Sequence, residues 1–136
     1  MRIQDCGNNG NTSLVQNCKV FRTLESGIYL AAGSYTGADG CSNFFVSDNL
    51  IYEAFNNSIL SIGGNNNTFS NNTCMNGANS GIMVWHPCDI VVSNNVITNC
   101  NRLAYNGIGA GGDDEANLWV GGYSAVGAGT YHCTVT

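Results

Sequence analysis

The sequence is short of charge and of proline. Its 136 residues include only 4 basic and 9 acidic side chains and a single proline, and the formal net charge is −5. The basic residues are Arg2, Lys19, Arg22 and Arg102, which are too few and too scattered to form the cationic face that nucleic-acid binding needs. An apolar content of 43% argues against a disordered chain, so one folded domain over residues 1–136 is predicted.

Long apolar runs are also missing. Because no run reaches about 18 apolar residues, the sequence predicts no membrane span. The N-terminal segment MRIQDCGNNG has no apolar stretch after Arg2, which argues against a secretory signal. We therefore expect either a protein that is made in and stays in the cytosol or a fragment of a longer chain.

Cysteine is frequent, but its spacing shows no metal-site pattern. The seven cysteines are Cys6, Cys18, Cys41, Cys74, Cys88, Cys100 and Cys133. They include no CxxC pair, which argues against a zinc site and against a thioredoxin-like motif. We expect them to be small buried apolar side chains, and the partner of any disulfide formed by Cys88 cannot be deduced.

Asparagine and glycine are abundant instead, and they follow an internal repeat. The chain has 21 Asn and 18 Gly. One segment recurs as LVQNCKV (14–20), FVSDNLI (45–51), TFSNNTC (68–74) and VVSNNVI (91–97), and a second recurs as SGIYL (26–30), NSILS (57–61), SGIMV (80–84) and NGIGA (106–110). The first two steps are 31 and 23 residues in both series, so whole units repeat. The eight extra residues of the first step lie in the Gly-rich segment 31–43, which is predicted to be a loop.

A unit of about 23 residues with three short apolar runs is typical of one coil of a parallel β-helix. We predict an all-β, right-handed, single-stranded parallel β-helix (a β-solenoid) of about four to five coils. Regular coils are expected over about 11–112, with 113–136 an irregular coil or a C-terminal cap. Asn17, Asp48, Asn71 and Asn94 align at one tight corner, where Asn tolerates a left-handed turn and stacked amides can hydrogen-bond along the axis.

The Asn-x-x-Val/Ile corners and the Gly-Ile strands over about 11–112 resemble the right-handed parallel β-helix superfamily, the pectate-lyase-like solenoids. That superfamily includes polysaccharide lyases, hydrolases, uronan epimerases and phage tail-spike or fibre domains. The resemblance implies carbohydrate or other protein chains as partners, a homotrimer or a larger chain as the assembly, and a virion or extracellular surface as the location of a spike.

One strip of outward positions is unusually apolar. We expect one Ile in each coil to face the core: Ile28, Ile59, Ile82 and Ile108. The positions one and three residues after each of them then face outward. These outward positions hold Tyr29, Leu60, Ile62, Met83 and Trp85. The strip could stack sugar rings on its aromatic side chains, or it could pack against another chain or domain. We favour the second interpretation because Leu60, Ile62 and Met83 offer no polar group.

The segments WHPCD (85–89) and GGDDE (111–115) carry the side chains best suited to chemistry. They leave the strands that begin at Ile82 and Ile108, so the repeat predicts neighbouring turns. His86, Asp113 and Asp114 are candidate catalytic acid/base residues, and Asp89, Asp113, Asp114 and Glu115 are candidate Ca²⁺ ligands. No other cofactor motif is present: the chain has no P-loop and no GxGxxG after a strand.

Three functional hypotheses follow. The first is a non-catalytic module of a larger extracellular or viral assembly that binds surface carbohydrate. The second is a polysaccharide lyase, hydrolase or uronan epimerase that acts around His86 and Asp113. The third is a purely structural solenoid. We favour the first, because a net charge of −5 repels acidic polysaccharides and the catalytic grouping is sparse.

Overall fold

A computed structural model describes residues 1–4, 11–31, 41–85, 89–100, 117–121 and 133–136. Its strands are β1 (Arg2–Gln4), β2 (Ser13–Gln16), β3 (Lys19–Phe21), β4 (Ile28–Ala31), β5 (Phe44–Ser47), β6 (Leu50–Tyr52), β7 (Ile59–Ile62), β8 (Thr68–Ser70), β9 (Thr73–Met75), β10 (Ile82–Trp85), β11 (Ile90–Ser93), β12 (Val96–Thr98), β13 (Leu118–Gly121) and β14 (Cys133–Val135). Within these ranges no helix is long and apolar enough to cross a membrane.

The strands form three parallel sheets in which neighbours come from successive coils. Sheet A has the order β1-β4-β7-β10-β13, sheet B the order β14-β11-β8-β5-β2, and sheet C the order β12-β9-β6-β3. Every described pairing is parallel. The chain therefore passes through sheets B, C and A in turn, and this arrangement confirms the predicted parallel β-helix.

Strand register confirms the repeat alignment. Ile28 pairs with Ile59 and Ile59 with Ile82 in sheet A, while Val46 pairs with Phe69 in sheet B. The side chains of Ile28, Ile59, Ile82 and Val46 are fully buried. Because successive side chains of a strand point to opposite faces, one face of each sheet lines the interior of the coil. The core is this stack of inward-facing residues.

Residues in the left-handed conformation lie at the corners between sheets. Asn17, Asp48, Asn71 and Asn94 have φ values of 52–56° between sheets B and C, as predicted. Two further sets occupy equivalent corners: Arg22, Glu53, Asn76 and Asn99 after sheet C, and Asn43, Asn66 and Asp89 before sheet B. Asn and Asp dominate because their short polar side chains tolerate this conformation better than other side chains do. The corners therefore account for much of the unusual composition.

The side-chain ladder lies one residue later than the sequence predicted. Asn17, Asp48, Asn71 and Asn94 are exposed, and their backbone N–H groups make the axial hydrogen bonds. The stacked amides are those of Asn49, Asn72 and Asn95: Asn49 Nδ2 donates to Asn72 Oδ1 at 2.9 Å, and Asn72 Nδ2 donates to Asn95 Oδ1 at 3.0 Å. The cause is geometric: the left-handed residue points its side chain outward, so the following residue points inward.

The last predicted coil is also corrected. Strand β10 pairs on one side with β7 and on the other with β13, where Ile82 is opposite Leu118. Both edges of β10 are thus occupied, so the predicted pairing of Ile108 with Ile82 is wrong; residues 106–110 themselves lie outside the described residues. In addition, β1 joins sheet A ahead of residue 11, and β13 and β14 join the sheets beyond residue 112.

Candidate functional site

The apolar strip predicted on sheet A is covered within the single chain. Leu60, Ile62 and Met83 are only 4–7% exposed and form a second apolar cluster, separate from the core, with Tyr29 and Trp85 packed against it. The Arg2 guanidinium lies 5.1 Å from the centre of the Tyr29 ring, a cation–π arrangement. Leu60, Ile62 and Met83 thus lie outside the core and are nevertheless buried, and a ligand or partner role for the strip stays a prediction.

The predicted catalytic group falls mainly outside the described residues. His86, Asp113, Asp114 and Glu115 belong to that part of the chain, while Asp89 is exposed at a left-handed corner just before β11. The register that placed 111–115 beside His86 rested on Ile108 pairing with Ile82, and Leu118 occupies that position instead. Among the described ranges no group of three His, Cys, Asp or Glu could hold a metal. The acid/base and Ca²⁺ sites therefore stay predictions.

Three of the four described cysteines confirm their predicted role as buried side chains, and the fourth is half-buried against the core. Cys18, Cys41, Cys74 and Cys100 are free thiols, and all but Cys18 are buried. Burial raises the pKa of the Cys74 thiol to about 12; the nearby Cys100 adds to this rise and a hydrogen bond with Ser58 opposes it. A thiol with so high a pKa carries almost no thiolate near neutral pH, so Cys74 is not a nucleophile.

The outer face of sheet C carries an aromatic pair that the sequence analysis missed. Phe21, Tyr52, Met75 and Thr98 are opposite one another in successive strands. Because their neighbours Ile51 and Cys74 are fully buried, these four positions alternate to the outside. The Phe21 and Tyr52 ring centroids are 6.3 Å apart at an interplanar angle of 57°, and Phe21 is 52% exposed.

A polar column runs beside this aromatic column, one residue further along each strand. The Arg22 guanidinium donates through Nε to Glu53 Oε2 at 2.9 Å, and Asn99 Nδ2 donates to Asn76 Oδ1 at 2.7 Å. The hydrogen bond to Glu53, and then the charge of its carboxylate, raise the pKa of Arg22. Donors, acceptors and both signs of charge thus border the rings. We call these two columns together the sheet C face: Phe21, Tyr52, Met75, Thr98, Arg22, Glu53, Asn76 and Asn99.

Exposed apolar side chains continue into the turns that follow the sheet C face. Leu24 and Phe55 are 88% and 62% exposed, and the Phe55 N–H donates to the Thr23 carbonyl of the preceding coil at 2.9 Å. The signal in the sequence was the alternation of the second apolar run of each coil: the period that places Tyr29 outward places Phe21 and Tyr52 outward too.

A family model described as the right handed beta helix region matches residues 2–97 of the chain. The chain belongs to the right-handed β-helix family. No curated protein and no solved structure matches the sequence significantly. The family match agrees with the three parallel sheets, and it fixes the hand of the coil.

The sheet C face of this right-handed β-helix combines exposed aromatic rings with paired polar groups. It lies on a different sheet from the strip that the sequence predicted as a ligand or partner surface.

Proposed function

We propose that this right-handed β-helix is a non-catalytic module that binds carbohydrate on the sheet C face. The observation that supports the proposal most strongly is the exposed Phe21–Tyr52 ring pair beside the Arg22–Glu53 pair. We further propose that the module belongs to a larger extracellular or virion-surface assembly of the tail-spike or fibre type, as the resemblance to that superfamily implies.

A sugar ring presents an apolar C–H face and a rim of hydroxyl groups, and the sheet C face offers a counterpart to each. Phe21 and Tyr52 supply rigid apolar area, while Asn76 and Asn99 supply amide donors and acceptors. Successive coils place these positions about 4.8 Å apart along the axis, with the rings on the first two coils and the amides on the next two. This spacing suits a chain of sugars that runs parallel to the solenoid axis.

Glycan-array binding tests the proposal. The wild-type chain is compared with Phe21→Ala and Tyr52→Ala, and with Leu14→Ala as a matched control, since Leu14 is an exposed apolar residue on sheet B. We expect each ring variant to weaken binding about tenfold, because an aromatic contact contributes about 1.4 kcal/mol. Leu14→Ala should leave binding unchanged. Absence of glycan binding by the wild type, or equal losses in all three variants, contradicts the proposal.

The proposed assembly is a homotrimer, and its test is separate. Size-exclusion chromatography with light scattering should give three times the chain mass of 14.3 kDa. A monomer at micromolar concentration contradicts the trimer but leaves sugar binding by the sheet C face intact.

A further inference from the structure

If the sheet C face binds sugar as proposed, Glu53 has a distinct role on it. Arg22 is the residue of the sheet C face with a positive charge, and Glu53 supplies a carboxylate at 2.9 Å from its Nε. The Arg22 side chain is 80% exposed and that of Glu53 is 32% exposed, so the carboxylate is the better fixed of the two groups. An approaching ligand therefore meets a guanidinium that already has an anionic partner.

The surroundings of this pair are close to neutral. Asn76 and Asn99, the other members of the polar column, carry no charge and hydrogen-bond to each other. Lys19 lies on the exposed side of β3 and Glu25 in the turn that follows it, while Asp48 is exposed at the corner before β6. The described charges beside sheet C are therefore two positive and three negative.

An acidic sugar gains little attraction from Arg22, because the Glu53 carboxylate already compensates the guanidinium charge. A guanidinium binds a carboxylate well because its N–H groups match the two oxygens, and here Glu53 already uses the Nε–H. A second carboxylate at the same place is repelled by the first, and the overall charge of −5 adds to that repulsion. Hydroxyl groups of a neutral sugar meet no such penalty.

We infer that Glu53 is a specificity-determining residue that restricts the sheet C face to neutral glycans by occupying Arg22. It acts on the ligand through Arg22 and is not a catalytic residue. Its replacement by Gln keeps the shape and an acceptor oxygen for Arg22 but removes the negative charge. The guanidinium charge is then uncompensated, and acidic sugars should gain affinity.

The experiment is a glycan array with equal numbers of neutral and uronate-containing glycans, read as the ratio of acidic to neutral binding. Wild type should prefer neutral glycans. Glu53→Gln should raise the ratio about fivefold, the upper range for one exposed ion pair. The gain should shrink in 0.5 M salt and be absent from the double variant Arg22→Gln/Glu53→Gln. Glu53→Asp, which keeps the charge, is the control and should retain the neutral preference.

The possible failures are distinguishable. If the wild type binds no glycan, the proposed function is overturned, and this inference falls with it. If the wild type binds but prefers acidic glycans, or if Glu53→Gln leaves the ratio unchanged, sugar binding stands and the role of Glu53 is overturned. If the ratio of acidic to neutral binding also rises in the double variant, Glu53 does not act through Arg22. Thermal unfolding of each variant checks that the fold is retained.

Discussion

The side-chain amide of Asn49 donates a hydrogen bond of 2.9 Å to the Oδ1 atom of Asn72, which lies 23 residues further along the chain and one coil further along the axis. The same Asn72 oxygen accepts the Asn49 backbone N–H at 3.2 Å. Both side chains are buried, and the pattern recurs between Asn72 and Asn95. The ladder thus satisfies buried backbone groups that no strand partner reaches, so we expect it to determine the stability of this corner.

Replacing the central amide of the ladder should destabilise the protein strongly. Asn72→Ala removes one acceptor from the Asn49 side chain and one donor from the Val46 carbonyl, in a buried position. We expect the free energy of unfolding to fall by about 2–4 kcal/mol, measured by urea denaturation. Asn71→Gly is the matched control: Asn71 is exposed with φ of 55°, which Gly adopts readily, so a change within about 0.5 kcal/mol is expected. If Asn72→Ala and Asn71→Gly lower the free energy of unfolding equally, the assignment of the ladder to Asn72 is wrong.

Stability should decrease in alkaline solution because of Cys74. Its thiol has a pKa of about 12 in the folded chain, against 9.0 for an ordinary thiol. Because the raised pKa favours the folded state only while the thiol stays protonated, this contribution is complete below pH 9 and is lost as the pH rises from 9 towards 12. The free energy of unfolding should therefore fall over that interval, by at most about 1.4 kcal/mol per pH unit.

Cys74→Val isolates that contribution from the other groups that titrate in the same range. Valine suits the column because Cys74 lies between Ile51 and Ile97. We expect a change within about 1.5 kcal/mol at pH 7 and a shallower decline above pH 9, followed by urea denaturation in a reducing buffer. If the wild type and Cys74→Val decline in parallel between pH 9 and pH 10.5, the pKa assigned to Cys74 is wrong.

Ser61 offers a stabilising substitution. It is fully buried in strand β7, between Leu30 and Val84 of the neighbouring coils, and its hydroxyl has no hydrogen-bond partner among the residues that the structure describes. Removing an unsatisfied hydroxyl from the core lowers the desolvation cost, and valine restores apolar contact with both neighbours. We expect Ser61→Val to raise the free energy of unfolding by about 1 kcal/mol, with Ser61→Ala giving a smaller gain. A loss of stability in both variants would show that the hydroxyl has a favourable partner.

The enzyme alternative makes a clear prediction as well. A non-catalytic module should give no release of reducing ends or unsaturated products from a panel of uronans and bacterial polysaccharides, with or without Ca²⁺. Turnover by the wild type that is lost in both His86→Ala and Asp113→Ala would instead support the polysaccharide lyase, hydrolase or epimerase hypothesis. Phe21→Ala separates the two functions, since it should affect binding on the sheet C face and not that turnover.

The sequence repeat was enough to predict the fold, because every coil of a β-helix has the same strands and corners and the residue pattern therefore recurs once per coil. Register at Ile28, Ile59 and Ile82 follows directly from equal spacing. The ladder was misplaced by one residue because Asn occurs at two consecutive corner positions, and composition cannot distinguish an outward left-handed Asn from an inward stacked one. Only backbone dihedral angles separate Asn71 from Asn72.

The sequence repeat gave a wrong prediction where two segments of the chain were both candidates to pair with the same strand. NGIGA at 106–110 matched the repeat in letters, yet Leu118 pairs with Ile82. Likewise, alternation correctly turned Leu60 and Met83 away from the core but did not indicate that the chain itself buries them. Coverage of an outer face depends on distant segments, and no strand period encodes it. The exposed pair Phe21–Tyr52 was within reach of the same alternation applied to sheet C.

The corner between sheets B and C always has two residues, as at 48–49, 71–72 and 94–95, whereas the connections that border sheet A differ in length. Insertions and deletions in the connections that border sheet A are thus compatible with the fold. An insertion or deletion in the corner between sheets B and C would move the stacked amides out of register. A cassette copied from 49–71 would bring its own Asn into register and add one coil, lengthening the rod by about 4.8 Å. Gene duplication could therefore lengthen the molecule by whole coils, because each added coil would repeat the contacts of the coil before it at the same axial spacing.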